Sequence, residues 1–325
     1  MRILSGIQPT GKLHLGNYIG AISQWIKLQE KKECFIMIAD LHSLTIPYDP
    51  KELQKNILDT FSSLLSLGID SNKTTIFLQS EIKEHTFLCW ILNTICKLGE
   101  ISRMTQFKEK AKQFKENVNV GLLDYPVLQA ADILLYDPDY VPVGRDQLQH
   151  IELARDLSKR FNNKFGETFK VPKPLILKGK EKIMSLSDPS KKMSKSIPSS
   201  CLFLDDPLKT IERKIMRAKT DLGKEIKFDK EKKPGISNLM VIYSFFSKKS
   251  FSQIEKEFKG KGYAVFKKEI IKEVIKFLKP YQKKKRELLK NKTLLKKILK
   301  EGTKKAQKIA SLKIKEVEKK VGLSF

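Results

Sequence analysis

The run Lys191-Lys192-Met193-Ser194-Lys195-Ser196 sets ammonium groups beside small hydroxyls, between Asp188-Pro189 and Pro198-Ser199-Ser200. Those flanks favour an irregular, mobile loop over a helix or strand. A loop of this kind can close two ammonium groups over a polyphosphate. That suits a reaction whose transition state gathers negative charge on phosphate oxygens. A solvated Lys/Ser loop in a lysine-rich chain has the same composition, so a second segment must decide.

The N-terminal stretch offers two readings. Gly6-Ile7-Gln8-Pro9-Thr10-Gly11-Lys12 fits GxxxxGK, and Ile36-Met37-Ile38-Ala39-Asp40 imitates the strand and acid that accompany a phosphate loop. Leu13 refuses that reading, because a hydroxyl is needed there for Mg²⁺. His14-Leu15-Gly16-Asn17 fits a nucleotide better: Gly16 permits close backbone approach, Asn17 can bond phosphate or ribose, and His14 can donate to phosphate oxygens. Taken singly, His14 reads equally well as an ordinary loop histidine.

Positioning these groups requires a scaffold, and the apolar pattern supplies one. Strands are expected over residues 2–6, 34–39, 74–79 and 140–143, with helices over 50–67 and 84–98 between them and one over about 146–162 after the last. This alternation predicts an α/β fold, a doubly wound parallel (Rossmann-like) sheet whose ligands lie beyond the carboxyl ends of the strands. The polar segment 101–120 reads as a loop or small insertion. Pro126 suits the first turn of a helix carrying Gln129 and Asp132. Past the lysine loop the strand pattern vanishes, and 207–218, 235–246 and 262–300 all read as helices. The expected organisation is a catalytic domain over 1–190, the loop 191–197 at the junction, and an all-helical domain over 198–325.

Composition narrows the function classes. With 325 residues, 40% hydrophobic, the chain can bury substantial cores. No unbroken apolar run is long enough to span a bilayer, and residues 1–6 lack a signal peptide's apolar region, so a cytoplasmic protein without a membrane partner is expected. Cys34, Cys89, Cys96 and Cys201 form no CxxC pair, and the four histidines are scattered, so no metal-ligand spacing exists. The net charge of +27 points to a polyanionic partner. Lysine outnumbers arginine 56 to 8, a bias that compositional drift also produces. The 26 basic and 8 acidic residues from Lys248 onward nonetheless concentrate +18 in the C-terminal quarter. There the run Lys283, Lys284, Lys285 and Arg286 is a candidate for RNA phosphates.

Taken together, His14-Leu15-Gly16-Asn17 and Lys192-Met193-Ser194-Lys195-Ser196 resemble the HIGH and KMSKS signatures of class I aminoacyl-tRNA synthetases. Ser5 to Gly11, Arg103 to Lys108, Tyr125-Pro126, Ala130 to Leu134, Val143-Gly144, Asp146-Gln147 and Pro234 to Leu239 resemble the bacterial tryptophanyl-tRNA synthetases. The resemblance spans essentially the whole chain. Asn17, where HIGH has its second histidine, is common in that family.

The resemblance implies activation of L-tryptophan by ATP, with Mg²⁺ held mainly by the ATP phosphates, followed by charging of tRNA(Trp) by a homodimer whose helical domain reads the anticodon. It puts Asp132 on the indole N–H, Tyr125 and Gln147 on the α-amino group, and Gly6, His42, Gln129, Val141 and Val143 around the indole. It assigns ATP to Gln8, Pro9, Thr10, Gly16, Asn17, Gly144, Arg145, Asp146, Ile183, Met193, Ser194 and Ser196. His14, Lys110, Lys192 and Lys195 would serve the reacting phosphates, and no residue would hold a metal. Two positions depart from the family pattern: Gln129 stands where Met is frequent, and Arg145 where an acid is frequent. Val141, Val143 and Ile183 would be apolar in any core, and His42 could be an ordinary interior histidine. A tyrosyl-type synthetase and an inactive RNA-binding paralogue remain the alternatives.

Overall fold

In a computed structural model, which describes residues 1–114, 116, 118–176, 182–195 and 197–324, five parallel strands form the central sheet. They are β1 (Arg2–Ile7), β2 (Glu33–Ile38), β3 (Thr74–Leu78), β4 (Tyr140–Val143) and β5 (Lys173–Ile176), in the order β3-β2-β1-β4-β5. Ile3 pairs with Cys34, and Cys34 in turn with Thr74, so the carboxyl ends of β1 to β3 align. The order reverses between β1 and β4, and residues following these strands face the switch point, where open α/β sheets bind ligands. The apolar run of β2 is continuous because both faces are covered: Phe35, Ile36 and Ile38 are all buried.

Local chemistry explains the main helix ends. Asp49 accepts from the backbone N–H groups of Lys51 and Glu52 to start helix Pro50–Leu67, with Pro50 at its first position. Gly68 stops it at φ +112°, the left-handed conformation that glycine adopts without strain. Asn291 interrupts the helix expected over 262–300. Its side chain accepts from Leu294 N–H and starts a new helix, Lys292–Val321, after Tyr263–Lys290 has ended.

The chain divides into two compact units that are not contiguous in sequence, unlike the single junction expected near 191–197. One comprises Met1–Gly11, Trp25–Lys178 and Asn291–Phe325; the other comprises Lys12–Gln24 and Gly179–Lys290. The last helix joins the sheet unit for a specific reason. At Gly302 a Cβ would overlap the Ile76 carbonyl, so glycine lets the helix backbone lie directly on β3. Beside it Thr303 Oγ1 accepts from Leu78 N–H at 3.2 Å, and Ala306 and Ala310 are buried against the core. The helix thereby covers an edge strand that would otherwise present unpaired backbone groups.

Segment 101–120 also departs from expectation. It contains the end of helix Leu98–Ser102 and the whole of helix Thr105–Gln113. The second has no buried residue, so its polar composition reads as a loop although its backbone is helical. β5 was not foreseen, because Lys-Pro-Leu-Ile carries little apolar pattern and none of its residues is fully buried.

In the other unit, helices Leu208–Met216, Pro234–Ser247 and Tyr263–Lys290 bury Ile211, Ile236, Leu239, Phe266 and Ile270. Among the described residues, no helix is long and apolar enough to cross a membrane.

Candidate active site

Asp132 lies on helix Val120–Leu134 and is 1% exposed. Three side chains donate to it. Oδ1 accepts from Gln79 Nε2 at 2.8 Å and from His85 Nδ1 at 2.6 Å, while Oδ2 accepts from His42 Nε2 at 2.7 Å. Burial alone would raise its pKa, yet donation from His42 and His85 outweighs that penalty and lowers it to about 2. The site therefore holds a carboxylate in an apolar interior. A carboxylate has about four acceptor positions, so three donors leave one, on Oδ2.

His42 and Gln79 follow the carboxyl ends of β2 and β3, and His85 begins helix Glu84–Asn93. The family resemblance singles out His42 but gives no role to Gln79 or His85. One histidine among only four, and a glutamine at the end of an expected strand, were the available signals. Gln129 makes no hydrogen bond to Asp132, because Gln79 and the histidines occupy that role.

Tyr125 shares the Asp132 helix, and its ring meets that of His42 edge-on at 6.2 Å. Its hydroxyl is 2.9 Å from His150 Nε2. Burial, with Glu109 adding repulsion, pushes its pKa up to about 12, so it remains a neutral phenol. Lys110, assigned to ATP phosphates by resemblance, stands with its ammonium 4.2 Å from the centre of the Tyr125 ring, and burial lowers its pKa. Val141 is buried, Val143 and Gln147 are half-buried, and Gly6 lies exposed at the end of β1. At Gly144 a Cβ would come within 2.8 Å of Asp146 Oδ1, so glycine allows this carboxylate to fold back. Gln147 Nε2 donates to Asp146 Oδ2 at 3.3 Å, and Arg145 is exposed. Gln8, Pro9 and Thr10 continue directly from β1 in the same unit.

The two signature segments, far apart in sequence, belong together to the other unit. Leu15 N–H donates to Leu202 O and Leu204 N–H to Leu13 O, a short antiparallel pairing that fixes His14 opposite Phe203. Asn17 Oδ1 accepts from His14 N–H at 3.0 Å, which leaves the Asn17 amide donors for a ligand. Gly16 is needed at its position because a Cβ would lie 2.9 Å from the His14 ring. Burial first, then Lys195 and Lys192, lower the His14 pKa to about 4. The imidazole is therefore neutral at pH 7, and its buried Nδ1 has no hydrogen-bond partner among the described residues.

The lysine loop is less irregular than its composition implies. Met184 and Lys192 form an antiparallel bridge, with Met193 N–H donating to Ile183 O. Asn238 clamps that bridge, accepting from Met184 N–H at 2.8 Å and donating to Met184 O at 3.0 Å. Ile183 and Met193 are buried, whereas Lys192 and Ser194 are exposed and Lys195 is half-buried. Ser196 lies outside the described residues. The motif Pro234 to Leu239 thus supports the loop: Asn238 holds its base, and Gly235 admits the Lys219 carbonyl where a Cβ could not fit.

Residues 1–279 match the family model described as tRNA synthetases class I (W and Y). The chain is 50% identical to a tryptophan–tRNA ligase of Caldanaerobacter subterraneus subsp. tengcongensis, over 99% of this chain and 98% of that one. It is 47% identical to the Bacillus anthracis tryptophan–tRNA ligase, with the same coverages. Among solved structures, a Mycoplasma pneumoniae tryptophanyl-tRNA synthetase superposes with a TM-score of 0.91 at 37% identity, covering 99% and 98% of the two chains. A Campylobacter jejuni tryptophanyl-tRNA synthetase complexed with ADP and tryptophan gives 0.85 at 36% identity, covering 99% and 100%.

Proposed function

The chain belongs to the class I tRNA synthetases of the tryptophan and tyrosine family, and within it we infer a bacterial-type tryptophan–tRNA ligase. It activates L-tryptophan with ATP to tryptophanyl-AMP and pyrophosphate, then charges tRNA(Trp). The tryptophan carboxylate attacks the α-phosphorus in line, breaking the bond to pyrophosphate; the tRNA 3′-terminal hydroxyl then attacks the acyl carbon and releases AMP. Neither step needs a covalent enzyme nucleophile, so rate comes from positioning and from charge stabilisation.

Asp132 carries the assignment. A buried carboxylate with one acceptor position remaining suits an indole N–H, a donor that finds no other partner in an apolar slot. Tyr125 and Gln147 would take the α-amino group; Gly6, His42, Gln129, Val141 and Val143 would border the indole. ATP would be held by Gln8, Pro9, Thr10, Gly16, Asn17, Gly144, Arg145, Asp146, Ile183, Met193, Ser194 and Ser196. Lys110, Lys192, Lys195 and His14 would act on its phosphates. His14 would do so as a neutral donor, consistent with its lowered pKa. Mg²⁺ would be carried by the triphosphate and would spread its charge.

Residues 198–290 would read the anticodon, and the enzyme would work in the cytoplasm as a homodimer. An apolar face on the sheet unit supports the dimer: Trp90, 72% exposed, lines with Leu41, Leu44 and Leu128 a cleft of about 310 Å³. ATP–pyrophosphate exchange across the twenty amino acids tests the activity. Exchange with tryptophan alone is expected, and exchange driven by tyrosine would transfer the chain to the tyrosyl branch.

A further inference from the structure

His85 is fully buried, and beyond its donation to Asp132 it has been given no role toward substrate. Its Nδ1 lies 2.6 Å from Asp132 Oδ1, and its Nε2 lies 2.9 Å from the hydroxyl of Tyr136, another fully buried side chain. The proton positions follow from the partners. A carboxylate can only accept, so Nδ1 is the donor. A neutral ring then presents Nε2 as an acceptor, and Tyr136 O–H donates into it. The reverse arrangement, with a second proton on Nε2, would leave the phenol proton without an acceptor among the described residues. Burial and the Asp132 charge raise the Tyr136 pKa well above its ordinary value, so this proton stays in place. Phe77 stacks on His85 at 6.1 Å and lies 5.1 Å from Tyr136, fixing both rings.

Two donors, from His85 and Gln79, therefore fill Oδ1 and fix the plane of the carboxylate, so that the remaining acceptor position on Oδ2 has a defined direction. We propose that His85, backed by Tyr136, is a positioning residue for substrate specificity: it orients Asp132 so that the site selects aromatic amino acids with a ring N–H and rejects isosteres without one. This inference rests on the reading that Asp132 accepts the indole N–H. Without His85 the carboxylate would lose a charge-assisted partner and could rotate, and the penalty for leaving it unpaired against a donor-free ring would shrink.

The test is ATP–pyrophosphate exchange by the full-length protein with L-tryptophan and with β-(3-benzothienyl)-L-alanine, whose sulfur replaces the N–H. The ratio of the two kcat/KM values is the readout. In His85→Leu the ratio is expected to fall about ten- to a hundredfold, through loss of tryptophan activity alone, as for a site losing part of a specific polar contact. His85→Asn, whose amide N–H falls near the Nδ1 position, should restore most of it. A proportional loss for both amino acids, with the ratio intact, would mean that His85 is merely structural and would overturn the proposal. If His85→Leu does not fold, Tyr136→Phe decides: a lowered ratio supports the relay and an unchanged one refutes it. Asp132→Asn separates the two levels. If its ratio is unchanged, the acceptor role of Asp132 falls and this inference with it; if it collapses while the His85 and Tyr136 variants keep theirs, only the positioning role falls.

Discussion

Lys285 Nζ donates to Asp205 Oδ2 at 2.6 Å from a side chain only 5% exposed, and Tyr281 donates to Oδ1 of the same carboxylate. The basic run 283–286 is therefore not a uniform outward face: Lys283, Lys284 and Arg286 are exposed, and Lys285 points inward. Lys285→Met would leave Asp205 half-paired. A loss of about 2 kcal/mol is expected, below the range for fully buried pairs because Asp205 keeps some exposure. A urea titration with an unchanged midpoint would show that the pair contributes nothing.

The RNA test consequently excludes Lys285. Changing Lys283, Lys284 and Arg286 to Gln should weaken tRNA binding and flatten its salt dependence without altering tryptophan activation. If two phosphates are bonded, the log–log slope changes by about 1.4 on the single-strand coefficient. An unchanged slope with unchanged charging would leave these three lysine and arginine side chains as a solvated helix face.

Lys195 is expected to stabilise developing phosphate charge more than bound ATP. Lys195→Ala should lower the single-turnover rate of adenylate formation by about 10² to 10³ while changing ATP affinity less. A near-normal rate would remove Lys195 from the mechanism.

For Asp132→Ala, the three donors around the carboxylate complicate the expected outcome. The substitution orphans groups on Gln79, His85 and His42, so the melting temperature should fall together with kcat/KM for tryptophan. The loss in transition-state binding should be about 2 to 4 kcal/mol. ATP affinity measured without amino acid discriminates, and should barely move. Equal weakening of both substrates would mark Asp132 as structural.

The pH dependence of stability follows from His150, whose pKa is lowered to about 4 chiefly by burial and then by Lys110 and His42. Below about pH 6.5 the unfolded chain binds a proton that the folded chain does not, so stability falls as pH drops toward 4. The shift corresponds to about 3 kcal/mol at this site, and His14 adds a loss of the same sign in the same window. Asp132 contributes only lower, between about 4 and 2, where its own folded-state advantage disappears. Urea unfolding at pH 7, 5.5 and 4.5 should show a shallower decline for His150→Gln than for the unaltered chain; parallel declines would refute the assignment.

The parallel sheet was legible because both faces of β1 and β2 are buried, which writes a continuous apolar run into the chain, and because Asp49, Pro50 and Gly68 mark helix ends by local chemistry. The two signature segments were legible too, since each is a short contiguous string whose residue types match phosphate chemistry. Helix Thr105–Gln113 was not, because an element with no fully buried residue, only a half-buried Phe107 against the core, leaves little apolar period.

What only the tertiary structure decided are relations between residues distant in the chain. Periodicity reports which face of an element is buried, not which element buries it, so no local pattern could join Gln79, His85 and His42 around Asp132, or place His14 and Lys195 in one unit. Lysine composition likewise cannot say which ammonium groups face water. Burial of Lys285 is decided by Asp205, eighty positions earlier, and the seat of the last helix by whether the Ile76 carbonyl has room beside Gly302.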